Sequence, residues 1–195
     1  MNKFFKGLTK FFEENIFFYH EVYLLEMDPL NHQNYENNFV EPVIFFSKND
    51  LKYLLENGYS LGEFSILSDL TEKFFRSQLL FGIFLKKILV SISYLIIENK
   101  IFFYPPMKIN FKEEGYIHYS ITDPEYRGMG FYTYNLQKMS EFSADLGKKK
   151  LKMVVEKNNL SSLKSALNAG FEISGEGKYL MILRLIYWKE KYKNK

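Results

Sequence analysis

The chain has 195 residues, no cysteine and a net charge of +3, which leaves room for one domain burying roughly 70% of its unfolded surface. Without cysteine, disulfides, thiolate metal sites and a cysteine nucleophile are excluded, and three scattered histidines, His20, His32 and His118, are too few to suggest a metal cluster. The charge is too small to argue for nucleic acid, while it is compatible with an anionic ligand.

Residues 1–14 open the order of elements. Phe4, Phe5, Leu8, Phe11 and Phe12 share one helical stripe, with Lys3, Lys6 and Lys10 off it. An amphipathic helix is expected, packed on the domain or resting weakly on an anionic membrane surface. The same N-terminal run lacks an unbroken apolar stretch and ends in acids, so no export signal and a cytoplasmic location are expected. "NIFFYHEVYLLEM", residues 15–27, reads as a strand, and residues 28–47, with two prolines, read as irregular. "NDLKYLLENG" carries a helix start at Asn49 or Asp50 and a stop at Gly58, and "LGEFSILSDLTEKFFRS", residues 61–77, reads as a second helix.

Residues 79–97 are the most apolar stretch. Lys86 and Lys87 at its centre would each cost about 2.5 kcal/mol or more in a membrane, so a β-hairpin turning at the lysines is expected instead. After a loop containing "YPPM", "GYIHYSIT" (115–122) alternates as a strand. "TYNLQKMSEFSADLG" places Leu136, Met139, Phe142 and Leu146 on one helical face, with Gly147 as C-cap. "KLKMVVE" (150–156) is the next strand. Asn159 caps a helix reaching Gly170, with Leu160, Leu163 and Leu167 expected inward. "FEISGEGKYLMILRLIY" (171–187) closes as a hairpin, with Gly175-Glu176-Gly177 expected at its turn. One α/β domain spanning residues 1–195 is the expectation.

"DPEYRGMGFYTYNL", residues 123–136, holds the chemistry-bearing motif. Gly-x-Gly alone is weak, since Gly175-Glu176-Gly177 has the same spacing. Context separates them: Gly128-Met129-Gly130 lies between a strand and a helix. There, backbone N–H groups and the positive end of the helix dipole favour an anion, and glycine admits a ligand close to the backbone. Arg127 adds a cation. The third glycine of the dinucleotide fingerprint and the Gly-Lys-Ser/Thr of the P-loop are both absent.

"SITDPEYRGMGFYTYNL" resembles the signature of the GNAT superfamily of CoA-dependent N-acetyltransferases: a strand, Arg-Gly-x-Gly, then a helix. "VVEKNNLSSLKSALNAGFEI" resembles that family's next strand and helix, in which an Asn is followed at fixed distance by Gly-Phe. Here these are Asn159, Gly170 and Phe171. The two motifs delimit an acetyl-CoA-binding core over 115–173. The resemblance implies a mixed, mostly antiparallel α+β sheet flanked by helices, with one splayed parallel strand pair holding the pantetheine arm. It implies backbone bonds to the arm from residues 119–123, Ile121, Thr122 and Asp123 among them, and a diphosphate cradle from Arg127 through Gly128, Met129, Gly130 and Phe131 to Tyr132. It further implies a pantetheine contact at Asn159, and direct acetyl transfer to an amine with no metal.

The chain departs from the family pattern at three positions. Glu125 stands where Gln or Arg is frequent, Tyr132 replaces a small residue, and Ala166 replaces a Tyr that in many members protonates the leaving thiolate. Tyr132, Tyr134 and Tyr179 are the substitutes to weigh for that proton. An alkyl amine is only about one part in 10³ neutral at pH 7, so a base is required. Glu113, Glu114 and His118 lie where the family often has one, and each also has a plain structural reading. The lysines at 148–150 and 152 read as a solvated connection or a contact with the CoA 3′-phosphate. The expected substrate is a small-molecule amine, an amino sugar by analogy with GNAT proteins of surface-polysaccharide synthesis. A catalytically silent CoA-binding module and a membrane-peripheral enzyme using a longer acyl chain are the alternatives.

Overall fold

The computed structural model describes residues 17–31, 43–45, 47–64, 79–98, 107–182 and 185–193. The strands are β1 (Phe17–Met27), β2 (Val43–Phe45), β3 (Leu79–Leu85), β4 (Ile88–Ile96), β5 (Glu114–Thr122), β6 (Lys150–Glu156), β7 (Glu172–Ile182) and β8 (Leu185–Tyr192). They form one sheet in the order β2-β3-β4-β5-β6-β1-β7-β8. Only β5 and β6 run parallel; every other neighbouring pair is antiparallel. Three α-helices are described: α1 (Lys48–Glu56), α2 (Phe131–Asp145) and α3 (Leu160–Asn168). This is the mixed, mostly antiparallel architecture expected above.

Period-two patterning divides the core between the two faces of the sheet. On one face Leu25, Leu79, Phe81, Leu95, Ile117, Leu151, Met153 and Val155 meet Leu136 and Met139 of α2 and Ala166 of α3. On the other, Leu80, Phe84, Ile92 and Tyr94 meet Leu51 and Leu54 of α1. Each fully buried Leu or Met contributes about 1.5–3 kcal/mol over its exposed state.

The β3–β4 hairpin turns at the two lysines, which sit in the left-handed region at φ 49° and 66°. That is the two-residue turn whose twist matches a hairpin, normally built from Asn and Gly. Lys87 Nζ donates to Asn57 O (3.1 Å) and lies 5.3 Å from the Tyr59 ring centroid, which offsets part of the strain.

Several expectations are corrected. Helix α1 begins two or three residues earlier than a start at Asn49 or Asp50 would have it: Ser47 is its N-cap, with a capping box in which Asp50 Oδ2 accepts from Ser47 N (2.8 Å). The segment 28–47 is not wholly irregular, because Pro29–Asn31 makes a 3₁₀ turn and Val43–Phe45 pairs with β3 as an edge strand. Of the helix expected over 61–77, residues 62–64 form a single 3₁₀ turn and 65–77 lie outside the described residues, as does the N-terminal helix over 1–14. Leu146, Leu160 and Leu167 are exposed, not inward. The inward stripe of α3 runs instead through Leu163 and Ala166 to Ala169. Finally, β7 passes straight through Gly175-Glu176-Gly177, and the hairpin turns further on, between Ile182 and Leu185.

The parallel pair opens as it proceeds. β5 pairs with β6 only from Glu114↔Lys150 to Ile117↔Met153. Beyond this, β5 stays with β4 as far as Ser91↔Thr122, while β6 stays with β1 as far as Val22↔Glu156. The divergence starts at a bulge: Leu95 faces Ile117 and Tyr94 faces Tyr119, which leaves His118 as the extra residue. A bulge bends its strand and increases the local twist, turning β5 away from β6.

Candidate functional site

The gap between β5 and β6 has a polar edge. Asp123 N donates to Val90 O (3.0 Å), so residues 121 and 123 direct their backbone groups toward β4. Backbone direction alternates along a strand, so Ser120 and Thr122 direct theirs into the gap, where no strand pairs with them. Thr122 O accepts there from Arg127 Nε (3.1 Å).

A tight loop closes the wide end. Asp123 is buried and its Oδ1 accepts from Glu125 N (3.0 Å), which caps a single 3₁₀ turn, Pro124–Tyr126. Arg127 N donates back to Pro124 O (3.4 Å), so the part of the expected cradle available to a ligand begins at Gly128. Gly128 and Gly130 both have positive φ, +79° and +89°. Gly130 is the N-cap of α2 and supplies no side-chain cap, so the first-turn N–H groups of this 15-residue helix remain for an acceptor outside the chain. A positive helix end and glycine amides at the mouth of an unpaired strand edge fit a diphosphate joined to an amide-bearing arm.

His118 is at the bulge, exposed, with its ring 6.2 Å from that of Tyr116. Tyr119, also exposed, lies 5.6 Å from Tyr94. Burial first, then the Tyr119 neighbour, push the Tyr94 phenol up to about 12. Tyr132 reaches from the first turn of α2 toward Ser162 on α3 and Ser120 on β5. Burial pushes its phenol up to about 12, and those two hydroxyls partly counteract the rise. Ser120 Oγ is itself buried without a well-formed hydrogen bond.

Two expected residues lie away from this group. Glu114 is at the closed end of the parallel pair, four residues or roughly 13 Å along the strand from His118. Its carboxylate is paired with Lys152 (2.8 Å) and accepts from Asn110 N (2.8 Å). Glu113 is exposed and held below the usual carboxylate range by Lys149. Asn159 stands at the α3 N-terminus, but its Oδ1 is occupied in accepting from Ser162 N and Ser161 Oγ, both at 3.1 Å. A surface concavity lined by Glu26, Lys150, Lys152, Glu172 and Tyr192 also lies at the closed end. Of its three lysines, Lys150 is paired with Glu26 and Lys152 with Glu114.

Sequence reading included Ser120 in the stretch whose backbone would bond the arm, but it missed the hydroxyl seam beside it. Ser91 and Ser93 are fully buried; Ser91 Oγ lies 2.9 Å from Thr122 Oγ1, and Asn135 Nδ2 donates to Ser93 Oγ (3.2 Å) and to Phe81 O (3.2 Å). The available signal was a pair of serines interrupting an otherwise apolar strand. Among the described residues no group of three or more His, Asp or Glu is placed to hold a metal ion.

Comparison with known proteins agrees with this geometry. No curated protein matches the chain. Residues 91–171 match the family model described as the acetyltransferase (GNAT) family. The chain aligns with an acetyltransferase from the GNAT family from Colwellia psychrerythraea at 14% identity, over 98% of this chain and 62% of that one, with a TM-score of 0.53. It aligns with a GCN5-related N-acetyltransferase from Sphaerobacter thermophilus at 11% identity, over 97% and 58%, with a TM-score of 0.51. It therefore spans about three fifths of the length of these solved relatives. The segment from strand β4 to Phe171 carries the GNAT acetyltransferase signature, and the chain has the GNAT fold.

Proposed function

We propose that the chain is an acyl-CoA-dependent N-acyltransferase that moves acetyl from acetyl-CoA directly to the primary amine of a small molecule, an amino sugar being the favoured class. The observation that carries this reading is the opening of β5 from β6 beside a left-handed glycine loop at an uncapped helix start. Acetyl-CoA, when bound, supplies the activated thioester. Backbone groups of Ser120 and Thr122 hold its arm, and amides from Gly128 to Tyr132 hold its diphosphate. His118, exposed at the narrow end of the gap, takes the proton of the attacking amine. Glu114 drops out of this role because Lys152 engages it at the far end. Of the three candidate tyrosines, Tyr134 is buried against Ile83, Val90 and Phe131, and Tyr179 pairs with Trp188 on β7–β8. Tyr132, in the first turn of α2 beside the glycine loop, is left for that role, since a phenol with an ordinary value of 10.0 or above carries its proton at neutral pH for the leaving thiolate.

The test is thiol release from acetyl-CoA across a panel of primary amines, for the wild type and His118→Ala. The expected loss in kcat/KM is about 10²–10⁴-fold, with CoA affinity unchanged. No release with any amine refutes the enzyme. Tight CoA binding without turnover would instead support a catalytically silent module, the reading favoured by the full burial of Ala166 where an acid is often found. A membrane-peripheral role rests on residues 1–14, which lie outside the described residues. No helix among the described residues is long and apolar enough to cross a membrane.

A further inference from the structure

The face of the sheet turned away from α2 and α3 carries a second polar group at the gap. On that face Val22, Ile96 and Tyr116 form a buried cluster, with Val154 packed against it. Side chains two apart on a strand share a face, which places His20 with Val22, and Glu156 with Val154. His118 is on the same face, its ring 6.2 Å from that of Tyr116, and so is Tyr119, beside Tyr94. His118 and Tyr119 thus stand on the β5 wall of the gap, and His20 and Glu156 on the wall made by β1 and β6. The two groups are offset. Ile117 pairs with Met153; His118 directly follows Ile117, whereas Glu156 lies further along β6, which separates them along the strands by roughly 7 Å.

Glu156 is equipped to hold a cation. Its Oε1 lies 2.7 Å from His20 Nδ1, while its side chain is 44% exposed. A carboxylate has about four acceptor sites, so one contact with an imidazole fixes its direction and leaves it able to take a further donor. The neighbouring Lys157 does not neutralise it, because that ammonium is on the other face, over Tyr23 and 2.7 Å from Glu176. The exposed Tyr119 offers its ring to a cation from the facing wall. The glycine loop leads into α2, so a cofactor's diphosphate belongs to the helix-covered face, which leaves this face to the acceptor.

We propose that Glu156, positioned by His20, is a specificity-determining residue: it binds a second, cationic nitrogen of the acceptor while His118 takes the proton of the first. The substrate class is then a diamine, its two nitrogens joined by a short carbon chain that spans the offset. This rests on the acyltransfer reading given above.

The experiment compares diaminobutane with butylamine as acceptors for the wild type and Glu156→Gln, and titrates diaminobutane calorimetrically into each protein loaded with coenzyme A. The ratio of kcat/KM for diaminobutane over butylamine is expected to fall roughly tenfold in Glu156→Gln, through KM, the lower end for a charge-assisted bond because the carboxylate is half exposed. Glutamine can still accept from His20, so a purely structural role would leave the ratio unmoved. No preference for diaminobutane in the wild type, or the same ratio in both proteins, overturns the diamine site while leaving the acyltransfer reading intact. If no amine releases thiol, that reading fails and the titration decides alone. Diaminobutane bound roughly tenfold more weakly by Glu156→Gln then upholds the cation site, and equal or absent binding overturns it.

Discussion

Gly128→Ala separates backbone strain from ligand contact, because α2 carries a matched control at its other end. Gly128 and Gly147 have φ of +79° and +71°, and a Cβ added to either meets nothing within 4 Å. Neither substitution collides with anything, so each costs only the left-handed strain of an L-residue, about 1–2 kcal/mol. At this chain length 1 kcal/mol moves Tm by about 2–4 °C, and both variants should lose roughly 2–8 °C by similar amounts. Gly147 closes the helix, donating to Ala144 O (2.8 Å) while Lys148 N reaches back to Ser143 O (2.9 Å), roughly 22 Å from the loop by helical rise. At Gly128 the added methyl stands where a phosphate would approach the amides. Losing one charge-assisted bond there costs about 1.5–3 kcal/mol, or roughly 10–150-fold in Kd. Thermal melts without ligand and calorimetric titration of coenzyme A read the two quantities separately. Equal affinity in Gly128→Ala and Gly147→Ala would refute the phosphate loop and leave the glycines as a turn.

Three further outcomes are expected. Glu114→Gln should lower stability by about 1–3 kcal/mol, because the half-hidden Lys152 loses its partner, while turnover is unchanged; a collapse in kcat at intact stability would restore Glu114 as the base. Lys86→Gly should raise stability by about 1 kcal/mol by relieving strain at φ 49°, a Tm gain of about 2–4 °C; no gain would mean that Lys86 is not strained there. Burial first pushes Tyr94, Tyr132 and Tyr192 up to about 12 from an ordinary value of 10.0. Between these values the unfolded chain has released phenol protons that the folded chain keeps, so stability present below about pH 10 should fall as pH rises toward about 12. Urea midpoints measured from neutral pH to about 11 check this, and a flat profile would refute it.

What was legible in the sequence is whatever local chemistry decides alone. The lysine turn, the strand at 115–122, the Gly147 stop and the Asn159 cap each depend on a few adjacent residues, and all four are found in place. What failed depends on partners distant in sequence. Leu160 and Leu167 read as core because they are large, but α3 lies close to the sheet through Ala166 and Ala169, whose small side chains give little hydrophobic signal. Glu114 reads as a base until Lys152 is found beside it, and the bulge at His118 exists only in register with Tyr94 and Leu95. The splay itself came from family resemblance; the position of that bulge is its physical counterpart in this chain.

The two Gly-x-Gly sequences show why a motif cannot be separated from its surroundings. At Gly128 the surroundings are empty and the dihedral is what requires glycine. At Gly175 and Gly177 no positive φ is involved, and space is what requires it. A Cβ on Gly175 would strike the Lys191 carbonyl oxygen, and one on Gly177 would come within 2.6 Å of Trp188 Cη2. The first pair keeps the chain bare toward solvent, where a ligand can replace the missing side chain. The second keeps it bare toward β8, whose own backbone and indole already fill the place. The pattern of glycines is the same in both; which atoms occupy the vacated volume decides whether it binds a partner or only packs a strand.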